Sequence, residues 1–160
     1  MIRLANINDL TRIVDIYNQT IDLKNVTADT SPVTVESRVD WFKQFNEQRP
    51  LWVYEIENNV IAWLSIRSFY GRPAYKNTVE IGLYIDQNNR QKGVGSELLL
   101  HAFNECKKIG TQTILAFIFG NNQISLNFFS KYGFVEYGNL PQVAEIDGEK
   151  IDLKILGIKL

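Results

Sequence analysis

The chain has 160 residues, 45% of them hydrophobic, with a net charge of -1 and a single cysteine. That length suits one domain over residues 1–160, able to bury roughly two thirds of its unfolded surface. The near-neutral charge argues against a nucleic-acid partner, and one cysteine excludes an internal disulfide. No apolar run approaches a membrane span or a secretory leader, so a cytoplasmic protein is expected.

Ile2-Arg3-Leu4-Ala5 reads as a short first strand. Asn8-Asp9 is expected to cap a helix in which Leu10, Ile13, Val14, Ile16 and Tyr17 recur at helical spacing. Thr20 to Pro32 is polar and irregular, a loop with room for a short helical piece and of the kind that contacts substrate. Thr34 has the character of a cap for a second helix, whose apolar stripe is Val35, Val39, Trp41, Phe42 and Phe45, with Arg38 among them. Leu51 to Ile56 alternates as a strand. Glu57-Asn58-Asn59 should turn it back into an antiparallel strand from Val60 to Phe69. Tyr70 to Asn77 is a loop containing Gly71, Arg72 and Pro73.

The stretch from Thr78 to Gly110 organises the rest. Val79, Ile81, Leu83 and Ile85 alternate with Glu80, Gly82 and Tyr84, which predicts a strand with one buried face and one face holding a carboxylate. Leu98, Leu99, Ala102, Phe103, Cys106 and Ile109 follow at helical spacing. Between them lies Arg90-Gln91-Lys92-Gly93-Val94-Gly95-Ser96. Glycines let backbone approach a ligand closely, and a helix N-terminus favours an anion, so strand, loop and helix together read as a phosphate site. No Gly-Lys-Ser/Thr follows, which excludes a P-loop, and Leu98 stands where a dinucleotide fingerprint needs its third glycine.

Thr111 to Phe119 is β-branched and aromatic. A strand reached through a helix should run parallel to the one before it, by a right-handed crossover. Asn122 can cap a further helix carrying Ile124, Leu126, Phe128, Phe129 and Tyr132, with Gly133 at its end. Phe134 to Tyr137 begins another strand, Asp147-Gly148 makes a hairpin turn, and Ile151 to Ile158 is the last strand. The sum is an α/β (α+β) fold. It has a mixed, mostly antiparallel sheet of about seven strands, with a central parallel pair and about four flanking helices.

Read on their own, a few side chains carry chemistry. Glu80 is either a general base in a cleft or the partner of a cation such as Arg72 or Lys76. Cys106 lies on an apolar helix face and reads as a buried thiol. His101, between Glu97 and Glu105, reads as a solvated surface residue. No metal site is expected.

Two motifs then agree. Arg90-x-x-Gly93-x-Gly95 resembles the pyrophosphate loop of the GNAT superfamily of N-acetyltransferases. Asn122-x-x-Ser125-x-x-x-Phe129-x-x-x-Gly133-Phe134 resembles that superfamily's fourth-helix motif. Nearly the whole chain is similar to the phosphinothricin and methionine-sulfone acetyltransferase branch. That likeness is carried by Arg38-x-x-Trp41-Phe42, Arg72-x-x-Tyr75-x-x-Thr78-Val79-Glu80 and Asp147-Gly148 with Asp152.

The resemblance implies acetyl transfer from acetyl-CoA to a primary amine by direct attack in a ternary complex. It implies that Arg90, Gln91, Lys92, Gly93, Val94, Gly95 and Ser96 hold the pyrophosphate. Leu83, Tyr84 and Ile85 would pair with the pantetheine arm, and Asn121, Asn122 and Ser125 would add contacts. Glu80 would be the base. Arg72, with Arg38 and Arg67 behind it, would take a substrate anion, and Tyr75 and Phe129 would line the substrate pocket beside Trp41, Trp63 and Phe69. Phe129 departs from the branch, which usually has histidine there. A phenyl ring donates no proton, but a thiolate is a tolerable leaving group without an acid. The branch also implies a homodimer. Two other readings are open: a protein N-terminal or polyamine acetyltransferase, and a CoA-binding module without turnover. Phe129 favours the latter, whereas Glu80 and the unbroken loop favour catalysis.

Overall fold

The computed structural model describes residues 1–160. Its strands are β1 (Ile2–Leu4), β2 (Leu51–Ile56), β3 (Asn59–Ser68), β4 (Thr78–Ile85), β5 (Thr113–Phe119), β6 (Val135–Ile146) and β7 (Glu149–Lys159). Its helices are α1 (Leu10–Asn18), α2 (Val35–Phe42), α3 (Val94–Lys108) and α4 (Gln123–Lys131). The strands form a single sheet in the order β1-β2-β3-β4-β5-β7-β6. Every neighbouring pair is antiparallel except β4 and β5, which are parallel. The mixed seven-stranded sheet with four helices is therefore the fold expected from the sequence.

The two faces of the sheet are covered differently. Ile13 and Ile16 of α1 pack with Leu51, Val53, Val60 and Trp63, and Trp41 of α2 adds to that cluster. On the opposite face, Leu98, Leu99, Ala102 and Cys106 of α3 and Phe129 of α4 pack with Ile66, Val79, Ile81 and Ile114. The alternation of β4 sets this division. Its odd-numbered residues meet α3, and Glu80, Gly82 and Tyr84 are left on the α1 side. Two tight turns close the hairpins as read. Glu57 and Asn58 both take left-handed φ, as do Asp147 and Gly148, the conformation that matches strand twist.

Three local readings are corrected. Asp9 holds the N-cap position of α1 as read, but its side chain makes no cap bond to that helix, and the side-chain cap comes earlier, from Asn6. Asn6 accepts from the Asn8 amide at 3.0 Å, and the Asp9 carboxylate accepts from the Asn6 amide at 2.8 Å, closing a 3-10 turn ahead of α1. The same carboxylate also receives Arg3 at 2.8 Å. Ile124 is 85% exposed and takes no part in the apolar face of α4. His101 is half-buried, its ring edge-on to Trp52 at 5.1 Å, so it is no simple solvated residue. The strand expected to begin at Phe134 to Tyr137 runs, as β6, to the Asp147-Gly148 turn. Pro141 and Gln142, the latter at φ 52°, interrupt its register, and an edge strand tolerates both. Asp152 of β7 holds the bulge by accepting from the Gln142 amide at 2.9 Å and from Asn139 at 3.2 Å.

Candidate active site

The site begins where the sheet comes apart. β4 and β5 are joined only at Thr78–Thr113, Val79–Ile114 and Glu80–Leu115. From Ile81 onward β4 stays paired with β3 alone, and β5 continues along β7. One backbone edge of β4, from Gly82 to Ile85, thus has no strand partner. Inside a protein such an edge demands hydrogen bonds from something else. Leu83, Tyr84 and Ile85, expected to meet an extended ligand, lie along it.

The loop after β4 is built around Asp86, which the sequence reading passed over. Asp86 is 3% exposed. One carboxylate oxygen accepts from the Asn88 amide and from the Asn89 side chain, each at 3.0 Å. The other accepts from Arg12 at 2.7 Å and Gln19 at 3.0 Å, both on or beside α1. Burial alone would push this carboxyl up, but the bonds from Gln19, Arg12, Asn88 and Asn89 outweigh it and hold the pKa at about 2. An Asp with Asn two and three residues on is an Asx-turn signal, and it was legible at the strand's end.

Past that anchor the chain enters α3 through Gln91 and Gly93, both at positive φ, 61° and 82°. Gly93 is the N-cap and carries no side chain to bond the first turn. The first bond within the helix runs from the Glu97 amide to the Gly93 carbonyl, which leaves the amides of Val94, Gly95 and Ser96 without intrahelical acceptors. Gly95 is buried, and a Cβ there would stand 3.0 Å from Ile85 Cδ1. Lys92 folds back onto the loop, donating to the Asn88 carbonyl at 2.8 Å. Arg90 is exposed. An uncapped helix start beside a glycine and two cations suits a phosphate ester.

A cavity of about 360 Å³ opens on the α1 face of β3 and β4. Its floor is three cross-strand pairs in register, Trp63–Tyr84, Ser65–Gly82 and Arg67–Glu80. Trp63 stacks on Tyr84 at 4.3 Å and donates to the Ile13 carbonyl at 3.1 Å. Burial pushes the Tyr84 phenol well above its usual range, so it is a neutral hydroxyl. Arg67 donates to one oxygen of Glu80 at 2.7 Å, and both side chains are part-exposed to the cavity. Glu80 thus pairs with Arg67, not with Arg72 or Lys76.

The walls come from α1, α2 and the early loop. Asn18 fastens that loop by bonding both the amide and the carbonyl of Val33, at 2.9 and 3.0 Å. The Tyr17 hydroxyl bonds Thr27 and Asp29, and Arg38 donates to Asp29 at 2.9 Å with its guanidinium 5.0 Å from the Tyr17 ring. Burial first, and then the bond to Asp29, raise the Tyr17 phenol. Val26, Thr27, Ala28 and Val33 of the loop, and Trp41 of α2, face the cavity together with Arg38.

The other candidates lie apart from it. Arg72 is exposed at the start of a 3-10 turn (Pro73–Tyr75), and Tyr75 packs edge-on against Phe69 at 5.4 Å. Neither lines the cavity, whereas Arg38 and Arg67 do. Phe129 is 7% exposed and packs edge-on to Phe134 at 4.9 Å within the α3 and α4 core. It lies behind the sheet instead of in the cavity. Asn122 is buried and accepts from the Ser125 amide at 3.2 Å as the cap of α4, and Asn121 is exposed beside it. Cys106 is wholly buried, and burial pushes its thiol up to about 11.

Comparison with known proteins gives a consistent result. The profile of the acetyltransferase (GNAT) family matches residues 13–134. The chain is 52% identical over 160 residues to "Putative phosphinothricin acetyltransferase YwnH" of Bacillus subtilis, covering 99% of this chain and 98% of the relative. It is 27% identical to the L-methionine sulfoximine/L-methionine sulfone acetyltransferase of Pseudomonas aeruginosa, covering 99% and 94%. The crystal structure of a phosphinothricin acetyltransferase from Sinorhizobium meliloti in complex with acetyl-CoA superposes with a TM-score of 0.93. It is 25% identical and covers 100% of this chain and 88% of its own.

Proposed function

Because the chain belongs to the acetyltransferase (GNAT) family, we propose that it moves the acetyl group of acetyl-CoA to the primary amine of a small amino-acid-like substrate of the phosphinothricin or methionine sulfone type. The protein is an acyltransferase, and acetyl-CoA supplies the activated acetyl thioester. The observation that carries the reading is the splayed end of β4 and β5. It sets a free strand edge, an uncapped helix start and a carboxylate-bearing cavity side by side.

Each part has a task in this reading. The amides of Val94, Gly95 and Ser96, with Gly93 at the turn, bind the diphosphate, and Arg90, Gln91 and Lys92 add charge and donors around it. The unpaired edge at Leu83, Tyr84 and Ile85 takes the extended arm. Asn121, Asn122 and Ser125 reach it from the start of α4. Glu80 accepts the proton that an arriving ammonium must lose before it can attack. Free α-amines have pKa values near ~8, so this proton is present at neutral pH. Phe129 supplies no acid, and the thiolate leaves without one.

The protein acts as one domain over residues 1–160 and works in the cytoplasm, where acetyl-CoA is available. A homodimer accompanies the reading, supported by the apolar side chains Val135 and Val143, each 59% exposed on edge strand β6. Light scattering after gel filtration reads that state directly.

The test of the function is thiol release from acetyl-CoA by purified protein, against amino acids and their phosphinate, sulfone and sulfoximine analogues. Amine-dependent release is the expected result. Cofactor binding without release for every amine would replace the reading with a CoA-binding module.

A further inference from the structure

The ion pair on the cavity floor has a use beyond the proton transfer. We propose that Arg67 and Glu80 together form the receptor for the zwitterionic head of an α-amino acid, with Arg67 taking the α-carboxylate and so selecting acids over simple amines. The inference rests on the acetyl-transfer reading, because that reading brings the amine to Glu80.

Four observations carry it. Arg67 and Glu80 are directly opposed across β3 and β4, so strand pairing fixes their separation. Only one guanidinium nitrogen is engaged, on one carboxylate oxygen at 2.7 Å, which leaves donors on Arg67 and an acceptor on Glu80 without protein partners. Both line a cavity whose remaining surface is largely apolar, including Ile13, Trp63, Phe117 and Leu153. The other arginine there, Arg38, is committed to Asp29.

The geometry of the ligand completes the argument. In an α-amino acid the ammonium and carboxylate hang from one carbon. An ammonium at Glu80 therefore brings its own carboxylate beside whatever neighbours Glu80, and that neighbour is Arg67. The four charges then alternate in sign. An amine without the carboxylate leaves Arg67 clasping Glu80 alone, and a peptide N-terminus offers a neutral amide instead. Arginine suits the task because its planar fork matches a carboxylate and does not lose its charge.

Equilibrium binding tests this without turnover. Trp41 and Trp63 line the cavity, so tryptophan fluorescence of the full chain can be titrated with L-methionine sulfone, with its carboxamide, and with the amine that remains when its carboxyl is removed. The wild type should bind the acid about ten- to a hundredfold more tightly than either analogue, the range of a charge-assisted bond. Arg67→Ala and Arg67→Gln should collapse that ratio to near one, and Arg67→Lys should recover part of it. A wild type that does not bind the acid, or does not prefer it, overturns the proposal. So does a ratio that survives in Arg67→Ala, or an equal loss for all three ligands, because Arg67 would then merely hold Glu80. Amine-dependent thiol release with Arg67-independent selection removes this proposal and keeps acetyl transfer. Arg67-dependent binding without thiol release does the reverse.

Discussion

Ser65 and Gly82 face each other at the centre of the cavity floor, and a Cβ on residue 82 would stand 2.9 Å from the Ser65 hydroxyl oxygen. That is closer than real Cβ contacts allow. Gly82→Ala should force the hydroxyl aside and raise KM for the amine by about tenfold, a change of roughly 1.4 kcal/mol. Adding Ser65→Ala removes the oxygen and should restore most of the loss. Steady-state kinetics on both variants checks the pair, and a double variant no better than the single one would refute the steric account.

Glu80→Gln keeps the shape of the carboxylate and removes its basicity. The expected result is a fall in kcat of about a hundredfold or more, typical of a lost general base. Acetyl-CoA affinity measured by calorimetry should be retained. A pH–rate profile matching the wild type would take Glu80 out of the base role.

Gly95 is buried against Ile85. Gly95→Glu adds both bulk and a negative charge where a diphosphate is proposed to sit. Acetyl-CoA binding should disappear in calorimetry while circular dichroism retains the fold. Undiminished affinity would dissolve the assignment of the loop.

Asp86 ties the loop after β4 to α1. Its folded pKa of about 2 lies below the value near ~4 of an unfolded aspartate. The stabilisation is therefore complete above pH ~4 and is lost as the pH falls from there toward 2. Asp86→Asn should cost about 1–3 kcal/mol at neutral pH and flatten the acid limb of stability over that window. Thermal melts at a series of pH values read both effects.

The strands, the parallel pair and the glycine loop were legible because alternation and turn chemistry act locally. So was the placement of Glu80 on the open face, since it depends only on parity along β4. The ion partner of Glu80 was not legible. It depends on the register of β3 against β4, which sets Arg67 opposite it and leaves Arg72 four residues past the strand's end. Phe129 was misplaced for a related reason. A helical position gives a stripe but not the object that the stripe faces, and here that object is Phe134 and the core behind the sheet. Tyr17, Thr27 and Asp29 meet through tertiary contact alone, so no spacing announces them.

The position of Phe129 carries its own test. Phe129→Ala should lower stability by about 3–5 kcal/mol, the usual cost of emptying an aromatic core site. Denaturant melts measure it. A variant as stable as the wild type would mean that the ring does not pack where described.

The parting of β4 from β5 also has a mechanical side. The ladder between them holds three residue pairs, whereas each of its neighbours holds seven. The sheet is therefore as thin along its own midline as at its β1–β2 rim, which also holds three pairs, with β1 to β4 on one bank and β5 to β7 on the other. Most folds keep their stiffest pairing at the centre and let only the edges fray, and this one carries a weak line at its centre as well. Amide exchange along this seam should approach that of the rim, and a ligand seated in it would lock the two banks together like a keystone.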